Sequence, residues 1–221
     1  MVIKEIFNLE YTPHQSSGKF SLSSLGGCWR KKYLELKGLY KQKYDAKTIR
    51  TFAIGDAFHQ LGMKTFFEKA QQANISVVAT EVNIPESPES KYVSGRTDCI
   101  ISHRATGEMN VVDFKSCGTW TFNKVKKGEV AQNYIDQVNM YLHFFKLKKG
   151  YLLFISKDKG DIEEVAVEYD EARAKQLLKE IEDFYVNHVE KNIEPERCKD
   201  RQFGCECCWP GEKPSWGKTD E

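Results

Sequence analysis

The sequence has no long hydrophobic run. No apolar stretch approaches the roughly 18 residues that a membrane-spanning helix requires, and the mean hydropathy is −0.57. The N-terminal residues Met1 to Phe7 also lack the extended apolar segment of a secretory signal peptide. We therefore expect a protein that does not enter membranes and that works in the cytoplasm, or in the cytoplasm of a host cell if it is viral.

A large excess of positive charge is absent too, because 33 lysines and arginines face 32 aspartates and glutamates. The distribution is uneven, however. Eight basic residues lie between Arg30 and Arg50, and a second basic group follows at positions 124 to 127, whereas acidic residues gather from Asp161 to Glu171. Such segregation can place a positive face beside an active site. A solvated helix face explains most lysine runs equally well, so charge alone assigns no function.

The cysteine count argues against a disulfide framework, since the seven cysteines are an odd number and no secretory signal precedes them. Four of them crowd the end of the chain: Cys198, Cys205, Cys207 and Cys208. Reduced cysteines at this spacing usually bind a metal, either in an iron–sulfur cluster or as tetrahedral Zn²⁺. We expect Cys99 and Cys117 to be buried thiols that pack as small hydrophobic residues.

The chain length of 221 residues suits one domain with a sizeable core. Periodicity and turn residues predict helices over 21–36, 50–70, 131–147 and 170–191, and strands over 75–84, 92–102, 108–115, 151–156 and 161–169. In the second helix, the apolar positions are Ile54, Ala57 or Phe58, Leu61 and Thr65. This order of elements predicts an α/β domain with a mixed sheet flanked by helices.

One strand pattern places two opposite charges on the same face. In Val111-Val112-Asp113-Phe114-Lys115-Ser116 the charged residues are two apart, so they point to one side while Phe114 points to the other. A buried charged pair needs a partner or a metal, and Asp98 on the preceding strand of the predicted hairpin can reach the same place. The Asp-x-Lys pattern by itself is common, and a structural ion pair explains it as well.

Two predicted helices carry further polar candidates. His59 has Gly55 one turn before it and Gly62 just under one turn after it, which leaves room for a metal or a DNA backbone, although most histidines are simply core or surface residues. Gln137 and Tyr141 are four residues apart and share a helix face. From there they could orient a lysine or bind phosphate, or be ordinary boundary residues. Carboxylates with an imidazole suit Mg²⁺ or Mn²⁺.

Taken in order, these motifs resemble the PD-(D/E)XK nuclease superfamily and specifically its RecB-like branch. That branch has Gly-x-x-x-His on a helix, Gly-x-x-Asp on a strand, hydrophobic-Asp-hydrophobic-Lys on the next strand and Gln-x-x-x-Tyr on a helix. The matching pairs here are Gly55 and His59, Gly95 and Asp98, Asp113 and Lys115, and Gln137 and Tyr141. Thr97 stands where some members have proline, and an aspartate stands at 113 where many have glutamate; the superfamily pattern admits both.

The resemblance implies a restriction-endonuclease-like core over about residues 50–191, within a single domain that spans 1–221. It implies that Mg²⁺ or Mn²⁺ is bound by His59, Asp98, Asp113 and the backbone carbonyl of Phe114. Lys115 would be the catalytic lysine. Gln137 and Tyr141 would orient that lysine or support DNA binding.

The segment around Cys28 is similar to the opening of the iron–sulfur members of this branch, with Trp29 in place of a proline. The resemblance implies that Cys28 joins Cys198, Cys205 and Cys208 around a [4Fe–4S] cluster, with Cys207 as an alternate ligand. Spacing alone leaves zinc open. The cluster would connect the segments at about 20–40 and 195–210.

In activity, the chain looks like the CRISPR-associated and the viral or phage members, which process DNA ends. The expectation is a metal-dependent DNA exonuclease that favours single strands, with a possible helicase, integrase or recombination partner and a possible oligomer. Phosphate contacts are expected from Arg30, Lys31, Lys32, Lys124, Lys126 and Lys127. A structure-specific endonuclease on the same core and a non-cleaving DNA-binding or docking module are the alternatives.

Overall fold

A computed structural model describes residues 17–41, 44–198, 205, 207 and 208. Its strands are β1 (Phe20–Ser21), β2 (Ile75–Asn83), β3 (Val93–Ser94), β4 (Arg96–His103), β5 (Met109–Cys117), β6 (Lys149–Ser156) and β7 (Ile162–Glu168). Its α-helices are α1 (Trp29–Leu36), α2 (Ala46–Lys69), α3 (Thr119–Val125), α4 (Gln132–Phe145) and α5 (Glu171–Phe184). Within these described residues, no helix has both the length and the apolar character that crossing a bilayer needs.

The main sheet has five strands in the order β2-β4-β5-β6-β7. β4 lies between β2 and β5 and pairs antiparallel with both. β5 and β6 pair in parallel, and β7 pairs antiparallel with β6 at the edge of the sheet. The parallel pair requires a crossover connection, which α3 and α4 provide. A separate two-stranded pairing joins β1 to β3 in parallel.

The sheet is covered on both faces, and alternation along β5 divides its residues between them. Val111 belongs to the larger core, which also contains Leu152, Phe154 and residues of α4 and α5. Val112 and Phe114 point the other way and pack with Met63 and Phe66 of α2. This is the predicted mixed α/β architecture, and it places α2 and α4 on opposite sides of the same central strand.

Several predicted boundaries differ from the observed ones. The single helix expected over 21–36 is a short 3₁₀ turn at Leu22–Ser24 followed by α1, because Gly26 adopts a left-handed φ of +74° that ends the first turn. The strand expected over 92–102 is split into β3 and β4. The last helix ends in a π-helical turn, Tyr185–Val189. The short helix α3 was not predicted. That residues 1–221 form one domain stays a prediction.

Most of the apolar stripe that predicts α2 lies on the exposed face of the helix, and only its alternative member Phe58 faces inward. Ile54 and Leu61 are 50% and 58% exposed, while the inward face consists of the partly buried residues Gly55, Phe58, His59, Gly62, Met63 and Phe66. The helix itself is correctly predicted, because both faces have helical periodicity. Its true packing face is built around two glycines and a histidine, which do not read as a hydrophobic stripe.

Candidate active site and cysteine centre

The candidate site begins where the β4–β5 ladder stops. The register pairs Cys99 with Val112, and no pairing continues to the next position, where Asp98 and Asp113 would meet. Instead, the side chain of Asp98 accepts a hydrogen bond from the backbone N–H of Phe114 at 2.6 Å. At this position the backbone of β5 therefore bonds to a side-chain carboxylate instead of to the backbone of β4. The two strands separate here, and each has an aspartate at the opening.

His59 of α2 reaches this opening from one face of the sheet. Its Nε2 lies 2.9 Å from Oδ1 of Asp98, and its ring contacts the edge of the Phe114 ring with centroids 5.9 Å apart. The hydrogen bond with Asp98 raises the pKa of His59 above its ordinary value. Both residues are partly exposed, with side-chain accessibilities of 29% and 18%, so a cation from solvent can reach them.

Asp113 and Lys115 share the opposite face of β5, as predicted. Lys115 Nζ lies 2.7 Å from Oδ2 of Asp113, whose side chain is 3% exposed. Burial raises the pKa of Asp113, and the Lys115 ammonium partly opposes this. Oδ2 makes this ionic contact but no hydrogen bond of regular geometry. A buried carboxylate oxygen with spare acceptor capacity is suited to a cation.

Gln137 and Tyr141 of α4 connect that lysine to the sheet. Lys115 donates to Oε1 of Gln137 at 3.1 Å, and the amide of Gln137 donates to the Tyr141 hydroxyl at 3.0 Å. Tyr141 in turn donates to the Arg96 carbonyl at 2.8 Å. Both side chains are buried, rather than lying at the boundary of the apolar stripe. Tyr141 is thus a support for Gln137, while Gln137 touches the lysine directly.

Close packing explains why the first position of the Gly-x-x-Asp motif, Gly95, is a glycine. A Cβ added to Gly95 would lie 2.7 Å from Leu22 Cδ1 and 3.0 Å from Tyr141 Cε1, and both neighbours are buried. A Cβ at Gly62 would meet the Phe114 ring at 3.2 Å. These two glycines permit the close approach that brings α2 and the end of β4 to the site. Gly55 has only ordinary contacts, so crowding does not require it.

Four cysteines come together as the sequence suggests. The Sγ atoms of Cys28, Cys198, Cys205 and Cys208 all lie within 4.8 Å of one another. Cys28 also caps α1, since its Sγ accepts from Lys31 N at 3.5 Å. The alternate ligand, Cys207, has its Sγ 3.1 Å from that of Cys205. The segments before α1 and after α5 therefore meet at this cysteine centre.

The electrostatics of these thiols are mixed. Burial raises the pKa of Cys28 and of Cys198. Cys205 is also buried in part, but hydrogen bonds from Cys207, Cys28 and Cys208 lower its pKa to about 7. A thiol that ionises near neutral pH is ready to bind a cation. The other two cysteines lie outside this group: Cys99 is fully buried, whereas Cys117 is partly exposed, contrary to expectation.

The predicted DNA-contacting residues separate into two groups. Arg30 pairs with Glu194 at 2.7 Å and donates to the Pro195 carbonyl at 3.1 Å, so it holds the C-terminal segment. Lys31 lies 3.9 Å from Glu35, and burial lowers the pKa of Lys32. By contrast, two of the basic residues after β5, Lys126 and Lys127, are exposed, and Lys124 is partly exposed.

Two residues of this region were not predicted from the sequence. Trp120 of α3 is 71% exposed, and the Lys124 ammonium lies 4.0 Å from its ring centroid. Glu81 of β2 has a carboxylate oxygen that groups with His59 and Asp98. The sequence does show that Trp120 stands between Lys115 and Lys124, but it does not show that the ring is exposed. Glu81 has no such signal, because an isolated glutamate in a strand is ordinary.

Comparisons with known proteins are informative at the level of structure. Neither models of protein families nor curated protein sequences match the chain. The alkaline exonuclease LHK-Exo of Laribacter hongkongensis matches with a TM-score of 0.59 and 18% identity, covering 80% of this chain and 90% of that chain. Its complex with dAMP matches over the same shares with a TM-score of 0.59 and 17% identity. A proposed exonuclease from Eubacterium rectale has a TM-score of 0.51 and 14% identity, and 93% and 94% of the two chains are covered.

These similarities establish the class of fold. The chain has the central mixed sheet flanked by helices of restriction-endonuclease-like exonucleases. At such low identity the comparison concerns the fold only, and function has to be argued from the site itself.

Proposed function

We propose that this chain is a metal-dependent DNA nuclease, most directly an exonuclease that digests DNA from its ends. The observation that carries the proposal is a pair of ionic contacts where the β4–β5 ladder stops, His59 with Asp98 and Lys115 with Asp113. They are linked through β5, since Asp98 accepts a hydrogen bond from the backbone N–H of Phe114, the residue between Asp113 and Lys115. The same fold in solved exonucleases supports it. No structural ion pair requires a second carboxylate, a histidine and an ordered glutamine in the same place.

The donor set suits a hard divalent cation. We propose that His59, Asp98, Asp113 and the Phe114 carbonyl hold Mg²⁺ or Mn²⁺, which prefer oxygen ligands and accept imidazole. When bound, such a cation makes water easier to deprotonate and neutralises phosphate charge. The hydrogen bond from Phe114 N holds the Asp98 carboxylate beside β5. The site residues are therefore preorganised before the cation arrives.

Lys115 supplies the positive charge that belongs to the protein itself. Its ammonium, held by Asp113 and Gln137, is positioned to stabilise negative charge on the phosphate as the reaction proceeds. Gln137 is a positioning residue, because it acts through Lys115. Tyr141 supports Gln137 from the buried side, and burial raises its pKa so that it remains a neutral phenol.

A preference for single strands is supported by Trp120. Its exposed ring offers a stacking surface for a base, and a base in duplex DNA is already stacked on its neighbours. Lys124 over the ring, with Lys126 and Lys127 beyond it, adds positive charge for the backbone. Trp120→Ala should weaken single-strand binding by about 1–3 kcal/mol and duplex binding much less. Trp120→Phe, which keeps a stacking ring, is the matched control in fluorescence-anisotropy titrations.

The cysteine centre is proposed to hold a metal that joins the two ends of the core. The resemblance favours [4Fe–4S]. The sulfur separations, all within 4.8 Å, are also compatible with tetrahedral Zn²⁺, whose bonds of about 2.3 Å place ligand sulfurs roughly 3.8 Å apart. Visible absorption together with iron and zinc content of anaerobically purified protein decides between them.

The exonuclease proposal is tested by topology of the substrate. Linear single-stranded DNA should be degraded and a circle of the same sequence left intact. Digestion of both would make this a structure-specific endonuclease on the same core. Binding without cleavage of either would favour a docking module, which could serve a helicase, integrase or recombination partner. Size-exclusion chromatography in the same samples tests for an oligomer.

A further inference from the structure

A third carboxylate lies at the candidate metal site. An oxygen of Glu81, a ring nitrogen of His59 and an oxygen of Asp98 all lie within 4.8 Å of one another. Glu81 belongs to β2, at the register position opposite Asp98, between the pairs Thr80 with Cys99 and Val82 with Thr97. The three ligand atoms therefore come from α2, β2 and β4, three elements that only the folded chain brings together.

The backbone at Glu81 is unusual for a strand. Its φ is +53°, in the left-handed region, where a side chain crowds its own backbone. The other described non-glycine residues with positive φ are Asn74, Lys146 and Asn192, which lie after helices rather than inside a strand. A strained residue inside a regular element is found most often where it serves a site. Here the strained residue is the one whose carboxylate lies with His59 and Asp98.

Glu81 also has a counterion that can leave. Its Oε2 lies 2.5 Å from the Arg96 guanidinium, and the two side chains are 45% and 59% exposed. An exposed ion pair contributes little stability, so a divalent cation can displace it at small cost. Arg96 keeps its place in any case, since its carbonyl accepts the hydrogen bond from Tyr141.

We propose that Glu81 is an additional ligand of the divalent cation, binding it together with His59 and Asp98, and that Arg96 neutralises the carboxylate until the cation arrives. This inference rests on the proposed metal-dependent nuclease. It assigns to β2 a direct part in the site, in addition to the parts of α2, β4 and β5.

The test is Mn²⁺ affinity, measured by electron paramagnetic resonance and calorimetry without DNA. Glu81→Gln should weaken binding about tenfold or more, and Arg96→Gln should tighten it. In the double variant the tightening should disappear, because there is no longer a carboxylate to release. Glu168→Gln is the matched control, since Glu168 is also an exposed strand glutamate paired across strands, with Lys149 at 3.4 Å; it should bind Mn²⁺ as the wild type does.

Two results would overturn the inference. One is wild-type Mn²⁺ affinity in both Glu81→Gln and Glu81→Gly, the second of which removes the carboxylate while relaxing the backbone. The other is tightening by Arg96→Gln that persists in the double variant, since general electrostatics would then explain it. If the wild type cleaves DNA and binds Mn²⁺ but Glu81 is indifferent, only this inference fails; if the wild type binds no Mn²⁺, the proposed function fails with it.

Discussion

The Lys115 ammonium lies 2.7 Å from the Asp113 carboxylate, and both side chains leave the same face of β5. Because Asp113 is almost fully buried, each charge depends on the other. Lys115→Met should lower the cleavage rate about 100-fold or more through loss of transition-state stabilisation. It should also lower the free energy of unfolding by about 3 kcal/mol, since it leaves a buried carboxylate without its partner.

Single-turnover cleavage and urea unfolding separate these two effects of Lys115→Met. Lys149→Met is the control, because Lys149 pairs with Glu168 on an exposed strand edge; it should change neither quantity appreciably. If Lys115→Met and Lys149→Met cleave at equal rates after correction for the folded fraction, Lys115 has no part in the reaction.

The two motif glycines should respond oppositely to alanine. Gly95→Ala should cost about 1–3 kcal/mol of unfolding free energy, because the new methyl would lie 2.7 Å from Leu22 and 3.0 Å from Tyr141. Gly55→Ala should be neutral or stabilise by up to about 1 kcal/mol, because it lies inside α2 with only ordinary contacts. Urea denaturation of both variants is the measurement, and similar losses in both would contradict the packing described.

Metal binding should weaken as pH falls. The hydrogen bond with Asp98 raises the pKa of His59, and burial raises that of Asp113. A raised pKa means that each group keeps its proton at a higher pH than the free side chain, so protons compete with the cation sooner. The Mn²⁺ dissociation constant should therefore increase from about pH 8 to about pH 6. His59→Gln should flatten this dependence, and a pH-independent affinity in the wild type would argue against these ligands.

Loss of one sulfur should empty the cysteine centre. Cys28→Ser should remove the bound iron or zinc, measured by elemental analysis, while a serine at this position still offers α1 a capping oxygen in place of the sulfur. Cys117→Ser is the control, because Cys117 lies outside the group of four. Equal metal content in both variants would show that the centre is elsewhere or that the sulfurs bind no metal.

The sequence predicts correctly which site residues share one face of a strand or helix, because that depends only on their spacing in the chain. The i, i+2 spacing of Asp113 and Lys115 and the i, i+4 spacing of Gln137 and Tyr141 predict shared faces, and the structure has both. These two shared faces need no knowledge of how distant elements pack. The approach of Cys28 to the late cysteines follows from no local period; the family resemblance implied it, and the structure brings these sulfurs together.

The sequence does not predict features that depend on how distant elements pack together. The exposure of Ile54 and Leu61 shows that α2 packs on the sheet with its glycine-containing face. The Phe114 ring lies against Gly62 there, where a larger side chain would be crowded. Arg30 looks like a phosphate contact in the sequence but pairs with Glu194, more than 160 positions away. Glu81 enters the site only through the register of β2 against β4 and its left-handed backbone, which no local pattern encodes.

Cleavage of end-labelled linear single-stranded DNA with Mn²⁺, compared between the wild type, Asp113→Asn and an EDTA control, tests whether this chain is a metal-dependent nuclease. Asp136→Asn is the matched variant, because Asp136 is also buried and paired, with Arg173 at 2.6 Å, but lies outside the site. We expect metal-dependent cleavage by the wild type and by folded Asp136→Asn, and none by Asp113→Asn. Cleavage by Asp113→Asn at the wild-type rate, or binding of DNA by the wild type without any cleavage, would contradict this expectation.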